Sequence, residues 1–174
     1  MRLMRRKIDD FLKEWKENED RLPLIVKGAR QIGKTASIMQ FANDNYRNVV
    51  AINFVLQQKF KSIFDDGYDV DSVVRNITLI NPNIELEPGN TIFFFDEMQD
   101  CPVCATSLKA FKIDGRYDVV CSGSLMGINY QEIESNSVGY KEDYTMHSMD
   151  FEEFLWAKGY DSAFVERLFE KMVS

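Results

Sequence analysis

One octapeptide has the residue types and spacing that bind phosphate. It runs from Gly28 to Thr35 and places two glycines five positions apart, directly before Lys34 and Thr35. The glycines allow a tight turn whose backbone N–H groups face phosphate oxygens, and the dipole of a following helix adds to the attraction. The Lys ammonium would reach the β- and γ-phosphates, and the Thr hydroxyl would bind Mg²⁺. The alternative is a glycine turn before an ordinary helix.

The octapeptide therefore predicts a nucleoside triphosphate site, with ATP and Mg²⁺ as its ligands. The expected nucleotide-binding residues are Gly28, Ala29, Arg30, Gln31, Ile32, Gly33, Lys34, Thr35 and Ala36.

Two adjacent carboxylates end an apolar segment farther along the chain. Residues 91–95 are β-branched and aromatic throughout, as in a strand buried on both faces of a parallel sheet, and Asp96 and Glu97 follow. Burying carboxylates is unfavourable unless they meet a metal or a polar ligand. We expect Asp96 to hold Mg²⁺ through its water shell, and Glu97 to orient or deprotonate the attacking water, with Lys34 also catalytic. A solvated helix cap is the alternative.

The surrounding sequence favours ATP hydrolysis over other phosphoryl chemistry. GTPase-type proteins have Asp, two residues and Gly, together with a guanine-binding Asn-Lys-x-Asp, and the sequence contains neither pattern. A small-molecule kinase would need an acceptor pocket and an arginine-rich lid, and neither is evident. An ATPase is therefore the first hypothesis. The second is a nucleotide-gated interaction module that hydrolyses ATP slowly or only with a partner.

Hydrophobic periodicity predicts the elements that must position these residues. The predicted strands are 22–26, 49–54, 91–95, 117–121 and 144–147. The predicted helices are 7–19, a helix after the octapeptide, 70–77, 103–112 and 161–173. Alternating strands and helices at this spacing predict a doubly wound parallel α/β sheet, whose ligands bind at the carboxyl ends of the strands.

Length and charge limit the other functions. The chain has 174 residues and a formal net charge of -7 at pH 7, which suits one acidic domain that repels polyanions such as nucleic acids. A basic cluster of Arg2, Arg5, Arg6 and Lys7 could form a local patch, but we interpret it as the solvated start of a helix. No apolar run reaches the roughly 18 residues of a membrane span, so we expect a cytoplasmic protein.

The cysteines allow two further hypotheses. Cys101 and Cys104 form a CxxC after a strand, the setting of a thioredoxin-like redox pair, although an acidic segment separates them from that strand. Together with Cys121 and His147 they could formally bind zinc, but there is no second CxxC or HxxxH pair. We expect neither chemistry, and we interpret His147 as an ordinary strand residue.

The motifs taken together resemble those of the AAA-type ATPases of bacteria and archaea, whose P-loop domain precedes a C-terminal domain of unsettled function. The matching segments are PLIVKGARQIGKT (23–35), INF (52–54), FFFDEMQDCP (93–102), SLKAF (107–111), CSGSLMG (121–127) and MDFEEFL (149–155). In these ATPases the segment that matches Gly28 to Thr35 is the phosphate loop. The resemblance implies that the strand before Asp96 and the strand before the phosphate loop flank the strand that ends at Ser122. It also implies that Ser122 or Ser124 senses the γ-phosphate.

Two departures from the family pattern shape the remaining expectations. Relatives commonly carry Arg where Tyr140 follows Gly139, so the cation that assists hydrolysis is missing there. We expect the chain to be truncated, with an N-terminal helix at 1–20, an ATPase core at 21–160 and an unfinished helical segment at 161–174. The absent C-terminal region or a neighbouring subunit would then supply the cation and protein contacts, leaving hydrolysis weak in this chain alone.

Overall fold

The computed structural model describes residues 4–124 and 129–173, and five strands within them form one parallel sheet. The strands are β1 (Leu24–Lys27), β2 (Asn48–Asn53), β3 (Thr91–Asp96), β4 (Asp118–Gly123) and β5 (Glu142–Thr145). Their order is β2-β3-β4-β1-β5, and all neighbouring pairs are parallel. The predicted sheet is confirmed, including the position of β4 between β3 and β1. The carboxyl ends of all three strands therefore meet at one edge.

Helices cover both faces of the sheet. Their bounds are α1 (Lys7–Glu17), α2 (Lys34–Asn45), α3 (Val70–Ile80), α4 (Ser107–Asp114), α5 (Asn129–Ser137), α6 (Phe151–Ala157) and α7 (Ser162–Val173). Short 3₁₀ helices lie at Gln58–Phe64, Met98–Asp100 and Pro102–Thr106. None of the helices in the two described ranges has the length and hydrophobicity of a membrane-spanning segment.

The core has two parts because side chains alternate along each strand. In β3, Phe93 and Phe95 point to the face covered by α3 and α4, whereas Ile92 and Phe94 point to the face covered by α1 and α2. All four side chains are at most 1% exposed. The continuous apolar pattern of this strand thus reflects burial on both faces.

The first helix packs tightly against the second face. Ile8, Leu12 and Trp15 are buried there with residues of α2, and the indole Nε1 of Trp15 donates a 2.8 Å hydrogen bond to the carbonyl oxygen of Leu22. The predicted amphipathic helix is present and ends two residues earlier than expected. Its apolar face therefore belongs to the same core as the phosphate-loop strand.

The interpretation of the basic residues as a solvated helix start is wrong for Arg6. Arg5 and Lys7 are exposed, and each lies within ion-pair distance of an acidic side chain. Arg6 is only 8% exposed, and its Nε lies 2.9 Å from Oε2 of Glu153. A carboxylate from the far end of the sequence thus neutralises the charge of Arg6. Arg2, the remaining member of the basic cluster, lies outside the described residues.

The last predicted strand and the predicted helix at 103–112 also differ from the structure, while the other predicted elements with stated bounds differ by one to three residues at one end or both. The last strand is β5, which begins two residues before the predicted 144–147 segment because it is a half-exposed edge strand with a weak apolar signal. His147 follows this strand, so its interpretation as a strand residue is wrong. The predicted helix at 103–112 is divided, since a 3₁₀ helix precedes α4 and Gly115 ends α4 in a left-handed conformation.

Replacing Phe93 with Ala tests the importance of the first core cluster. The ring lies 5.2 Å from that of Phe111 and 5.3 Å from that of Tyr117, centroid to centroid. We expect Phe93→Ala to lower the free energy of unfolding by about 3–5 kcal/mol, measured by urea titration, because a cavity replaces the ring. Leu79→Ala is the control, since this side chain is 72% exposed. Equal losses in the two variants would contradict the core assignment.

Candidate functional site

The loop between β1 and α2 presents a series of backbone donors. Among the described residues, the N–H groups of 29–36 make no hydrogen bond of good geometry, and the first helical bond runs from Ser37 N to Gly33 O at 3.0 Å. Gly33 caps α2 with a left-handed φ of 99°. Unpaired N–H groups at a helix N-terminus are the usual donors to anions. The local backbone therefore suits a phosphate group.

Close packing requires glycine at the first position of this loop. A Cβ added to Gly28 would lie 2.5 Å from the carbonyl oxygen of Met146 and 2.7 Å from Cδ1 of Ile32. Met146 follows β5, and its N–H donates to the carbonyl oxygen of Lys27 at 2.7 Å. The segment after β5 therefore lies directly against the start of the loop. Any larger side chain at Gly28 would push the two apart.

The ammonium group of Lys34 lies over the loop. Lys34 is 9% exposed, and its Nζ donates to the carbonyl oxygens of Gly28, at 2.8 Å, and Ala29. Burial lowers the pKa of Lys34, whereas the negative charges of Glu97 and Asp96 act in the opposite direction. The Lys34 ammonium is thus partly desolvated, and its hydrogen-bond acceptors in the loop are uncharged carbonyl oxygens.

Asp96 joins three elements at the carboxyl edge of the sheet. This residue ends β3 and is 6% exposed. Its Oδ2 accepts a 2.8 Å hydrogen bond from Oγ1 of Thr35, and its Oδ1 accepts bonds from Oγ of Ser122, at 2.6 Å, and from the N–H of Glu97, at 2.9 Å. The carboxylate thus connects the phosphate-loop helix with the ends of β3 and β4.

Glu97 is held by a residue that the sequence did not suggest. Its backbone has an unusual φ of 56°, and its Oε2 accepts a hydrogen bond from Nε2 of Gln99. The Oε1 of Gln99 accepts a 3.3 Å bond from the N–H of Ser124. Gln99 therefore links Glu97 to the segment after β4. No property of an isolated Gln in the sequence distinguishes it from a surface residue.

The structure places the expected site residues in two groups. Lys34, Thr35, Asp96, Glu97 and Ser122 lie together at the carboxyl edge, with Ser124 connected to them through Gln99. The side chains of Ala29, Arg30, Gln31 and Ala36 are exposed along the loop and the first turn of α2. In that second group the backbone N–H groups are the candidate ligands.

The arginines that could assist hydrolysis lie in different places relative to the loop. Arg116 precedes β4 and therefore lies at the opposite edge from the loop, where its Nη2 is 2.6 Å from Oδ1 of Asp71. Arg30 is exposed within the loop itself. Tyr140, at the position where Arg was expected from the resemblance, lies with its ring centroid 5.1 Å from Nζ of Lys109. Of these residues, Arg30 is the arginine that belongs to the loop sequence itself.

No group of three or more His, Cys, Asp or Glu side chains within residues 4–124 and 129–173 is arranged to hold a metal ion. The donors at the carboxyl edge are instead one buried carboxylate, Asp96, and the hydroxyl of Thr35. Mg²⁺ commonly binds through one or two carboxylates together with substrate phosphates. This donor set fits such a site and would be incomplete without the phosphates.

The chain is similar in sequence to known proteins. A family model described as an AAA domain matches residues 20–155. An uncharacterized protein of Haemophilus influenzae is 24% identical over 154 residues, which cover 86% of this chain and 36% of that protein. The chain thus spans 36% of the length of this relative.

Two solved structures are also similar to the chain. The structure of C. elegans PCH-2 matches with a TM-score of 0.46 and 13% identity, over 82% of this chain and 42% of that one. The crystal structure of a DNA replication initiation factor matches with a TM-score of 0.46 and 12% identity, over 86% and 48%.

The environment of the cysteines does not favour redox chemistry. Burial raises the pKa of Cys101 to about 12. A hydrogen bond with Cys121, together with burial, raises the pKa of Cys104 well above its ordinary value. Reactive cysteines need a lowered pKa, because the thiolate is the nucleophile. All three cysteines are buried and are best explained as core residues.

We expect the three thiols to resist modification in the folded protein. A raised pKa keeps Cys101 and Cys104 protonated at pH 8, so 5,5′-dithiobis(2-nitrobenzoate) should react slowly until the protein is unfolded, and then with all three. Val138→Cys, at a side chain that is 69% exposed, provides a reactive thiol as the positive control. Rapid reaction of the parent protein in its folded state would instead support the redox hypothesis.

Proposed function

Because this chain belongs to the AAA domain family, we propose that it binds ATP with Mg²⁺ and hydrolyses it. The observation that carries the proposal is the hydrogen bond between Thr35 and Asp96, 61 positions apart in sequence. This bond brings the helix after the phosphate loop to the carboxylate that ends β3. A phosphate on the loop and a metal ion at the carboxylate would then be neighbours, as nucleotide hydrolysis requires.

The loop would bind the phosphates through backbone and charge together. Within the part of the chain that the structure describes, the N–H groups of residues 29–36 have no acceptor of good geometry, so they supply donors. The helix dipole of α2 favours negative charge at the same place. Lys34 would exchange its two carbonyl acceptors for phosphate oxygens, which are stronger acceptors because they are charged. The phosphate charge would also raise the pKa of Lys34, offsetting the effect of burial.

Thr35 and Asp96 are the residues that would hold Mg²⁺. The hydroxyl oxygen of Thr35 can coordinate it directly, and the carboxylate of Asp96 can accept hydrogen bonds from its water shell. When bound, Mg²⁺ neutralises negative charge on the β- and γ-phosphates. Ser122 keeps Asp96 in place through the 2.6 Å hydrogen bond to Oδ1.

Glu97 is the proposed base. It follows Asp96 directly and can accept the proton of a water molecule that attacks the γ-phosphate. Ser122 and Ser124 lie at the end of β4, which is the neighbour of both β3 and β1. They are therefore proposed to detect whether a γ-phosphate is present.

A second candidate function is a nucleotide-gated interaction module with little hydrolysis. The observation that favours it is the hydrogen bond from Gln99 to the carboxylate of Glu97, because a base engaged in this way is less free to accept a proton from water. Partner contacts or self-association through a C-terminal region would then release Glu97. The amount of phosphate released at steady state separates this function from an efficient ATPase.

Removal of the Lys34 ammonium tests the nucleotide site. We expect Lys34→Ala to weaken ATP binding by about 10- to 100-fold in calorimetric titration, because charge-assisted hydrogen bonds to phosphate are lost. The fold should remain intact, as judged by circular dichroism. Lys13→Ala removes an exposed lysine of α1 and is the control. ATP affinity equal to that of the parent in Lys34→Ala would show that the loop is not the binding site.

Substitution of Glu97 separates binding from hydrolysis. We expect Glu97→Gln to keep Mg-ATP bound while turnover falls by about 10²- to 10⁴-fold, because the amide cannot accept the proton. Asp96→Asn should instead reduce the affinity for Mg²⁺, measured as a higher Mg²⁺ concentration for half-maximal activity. Asp100→Asn, in the same acidic segment, is the control and should retain turnover. Parental turnover in Glu97→Gln would exclude Glu97 as the base.

A further inference from the structure

Arg6 makes three hydrogen bonds that converge on the phosphate loop and its neighbours. Its Nη1 donates to the carbonyl oxygen of Ile32 at 2.7 Å, and its Nη2 donates to that of His147 at 2.9 Å. Its Nε donates to Oε2 of Glu153 at 2.9 Å. A planar guanidinium can make all three bonds at once, which a lysine ammonium on its flexible stem cannot reproduce.

Glu153 fixes the orientation of this guanidinium. Glu153 is 5% exposed, and the oxygen that accepts from Arg6 also accepts the N–H of Lys7, at 2.8 Å. Its other oxygen accepts the N–H of Asp150, at 3.0 Å, as part of the capping box of α6. The carboxylate therefore binds the first residue of α1, the start of α6 and Arg6 together.

The bond to Ile32 determines the direction of the next backbone donor. In a planar trans peptide the C=O and the following N–H point in opposite directions. A carbonyl of Ile32 held toward Arg6 therefore directs the N–H of Gly33 away from Arg6. Among the described residues this N–H has no acceptor of its own. A Cβ added at Gly33 would lie only 3.0 Å from Nη1 of Arg6, so the two are in close contact.

The bond to His147 acts at the other end of the loop. His147 directly follows Met146, whose carbonyl oxygen packs against Gly28. Arg6 thus holds the last part of the loop at Ile32 and also the segment that packs against its first residue. Both ends of the loop are supported by one side chain that comes from outside the loop.

We propose that Arg6, held by Glu153, is a positioning residue for the phosphate loop. The inference rests on the proposed function of that loop, since the donor it aims is the N–H of Gly33. The charge of Arg6 is neutralised by Glu153, so Arg6 acts by orienting the peptide and not by attracting phosphate. A substitution that keeps the positive charge but loses the planar fork should therefore impair the loop.

The same contacts connect the loop to α6. Because one carboxylate caps α6 and orients Arg6, tightening of the loop by phosphate should also stabilise the start of α6, and this coupling is reciprocal. Mg-ATP should therefore slow amide hydrogen exchange in residues 150–157 as well as in the loop. A side chain with a purely structural role would not transmit this effect.

The central experiment compares Arg6→Lys with Arg21→Lys. Arg21 is a matched control, because its Nε and Nη2 bind the carboxylate of Asp118 at 3.0 and 2.8 Å at the opposite edge of the sheet. In Arg6→Lys we expect ATP affinity to fall about tenfold, and amide exchange in residues 29–36 to rise about tenfold. Mg-ATP should no longer protect residues 150–157. Arg21→Lys should leave all three measurements at parental values.

A second variant keeps the test decisive if Arg6→Lys does not fold. Glu153→Gln preserves size and an acceptor oxygen but leaves Arg6 without its counter-ion, so it should show the same changes to a smaller degree. Unchanged ATP affinity and unchanged loop exchange in a folded variant of Arg6 or Glu153 would overturn the inference. Equal changes in Arg21→Lys would overturn it too, because the effect would then be general loss of stability.

Failure of the proposed function can be distinguished from failure of the positioning role of Arg6. If the folded parent binds no ATP, the nucleotide proposal is wrong. Exchange in residues 29–36 without nucleotide still decides the positioning role. Faster exchange in Arg6→Lys than in Arg21→Lys would support the role of Arg6 in holding the loop, whereas equal exchange would overturn it.

Discussion

Asp96 brings a carboxylate to a position where only 6% of the residue is exposed, and the cost of burying that charge constrains everything around it. Its oxygens need donors, and these come from Thr35 on α2, Ser122 on β4 and the next backbone N–H. The donors can converge only because β4 lies between β3 and β1. The geometry of the site therefore requires this order of strands in the sheet.

The phosphate loop and Asp96 could be predicted because each belongs to a pattern of residues that are close together in sequence. The phosphate loop and the apolar strand before Asp96 each combine a local pattern with a strong physical requirement, namely backbone donors for anions and burial on two faces. The order of the strands came from family resemblance. The half-exposed strand β5 and the divided helix around α4 were placed less accurately, because their residues carry weak or mixed periodicity.

The residues that the sequence did not identify are those whose role depends on distant partners. Arg6 looked like part of a basic helix start, since nothing near it in sequence indicates Glu153, 147 positions away. Gln99 likewise gains its role from Glu97 and the backbone of Ser124. Functional groups on loops need supporting residues that keep their geometry. A supporting residue is recognised by what it contacts in the folded protein, so its residue type alone does not identify it.

These two supports hold different parts of the site, which has a consequence for function. Arg6 holds the backbone that would bind phosphate and connects it to α6, whereas Gln99 holds the proposed base and connects it to the end of β4. Under the proposed function, nucleotide binding and hydrolysis would therefore depend on separate contacts. A change at Gln99 would then release Glu97 without loosening the loop, and the same fold would hold nucleotide in a slow state and hydrolyse it after a local rearrangement. The two candidate functions are then two states of one site, distinguished by the partner of the Glu97 carboxylate.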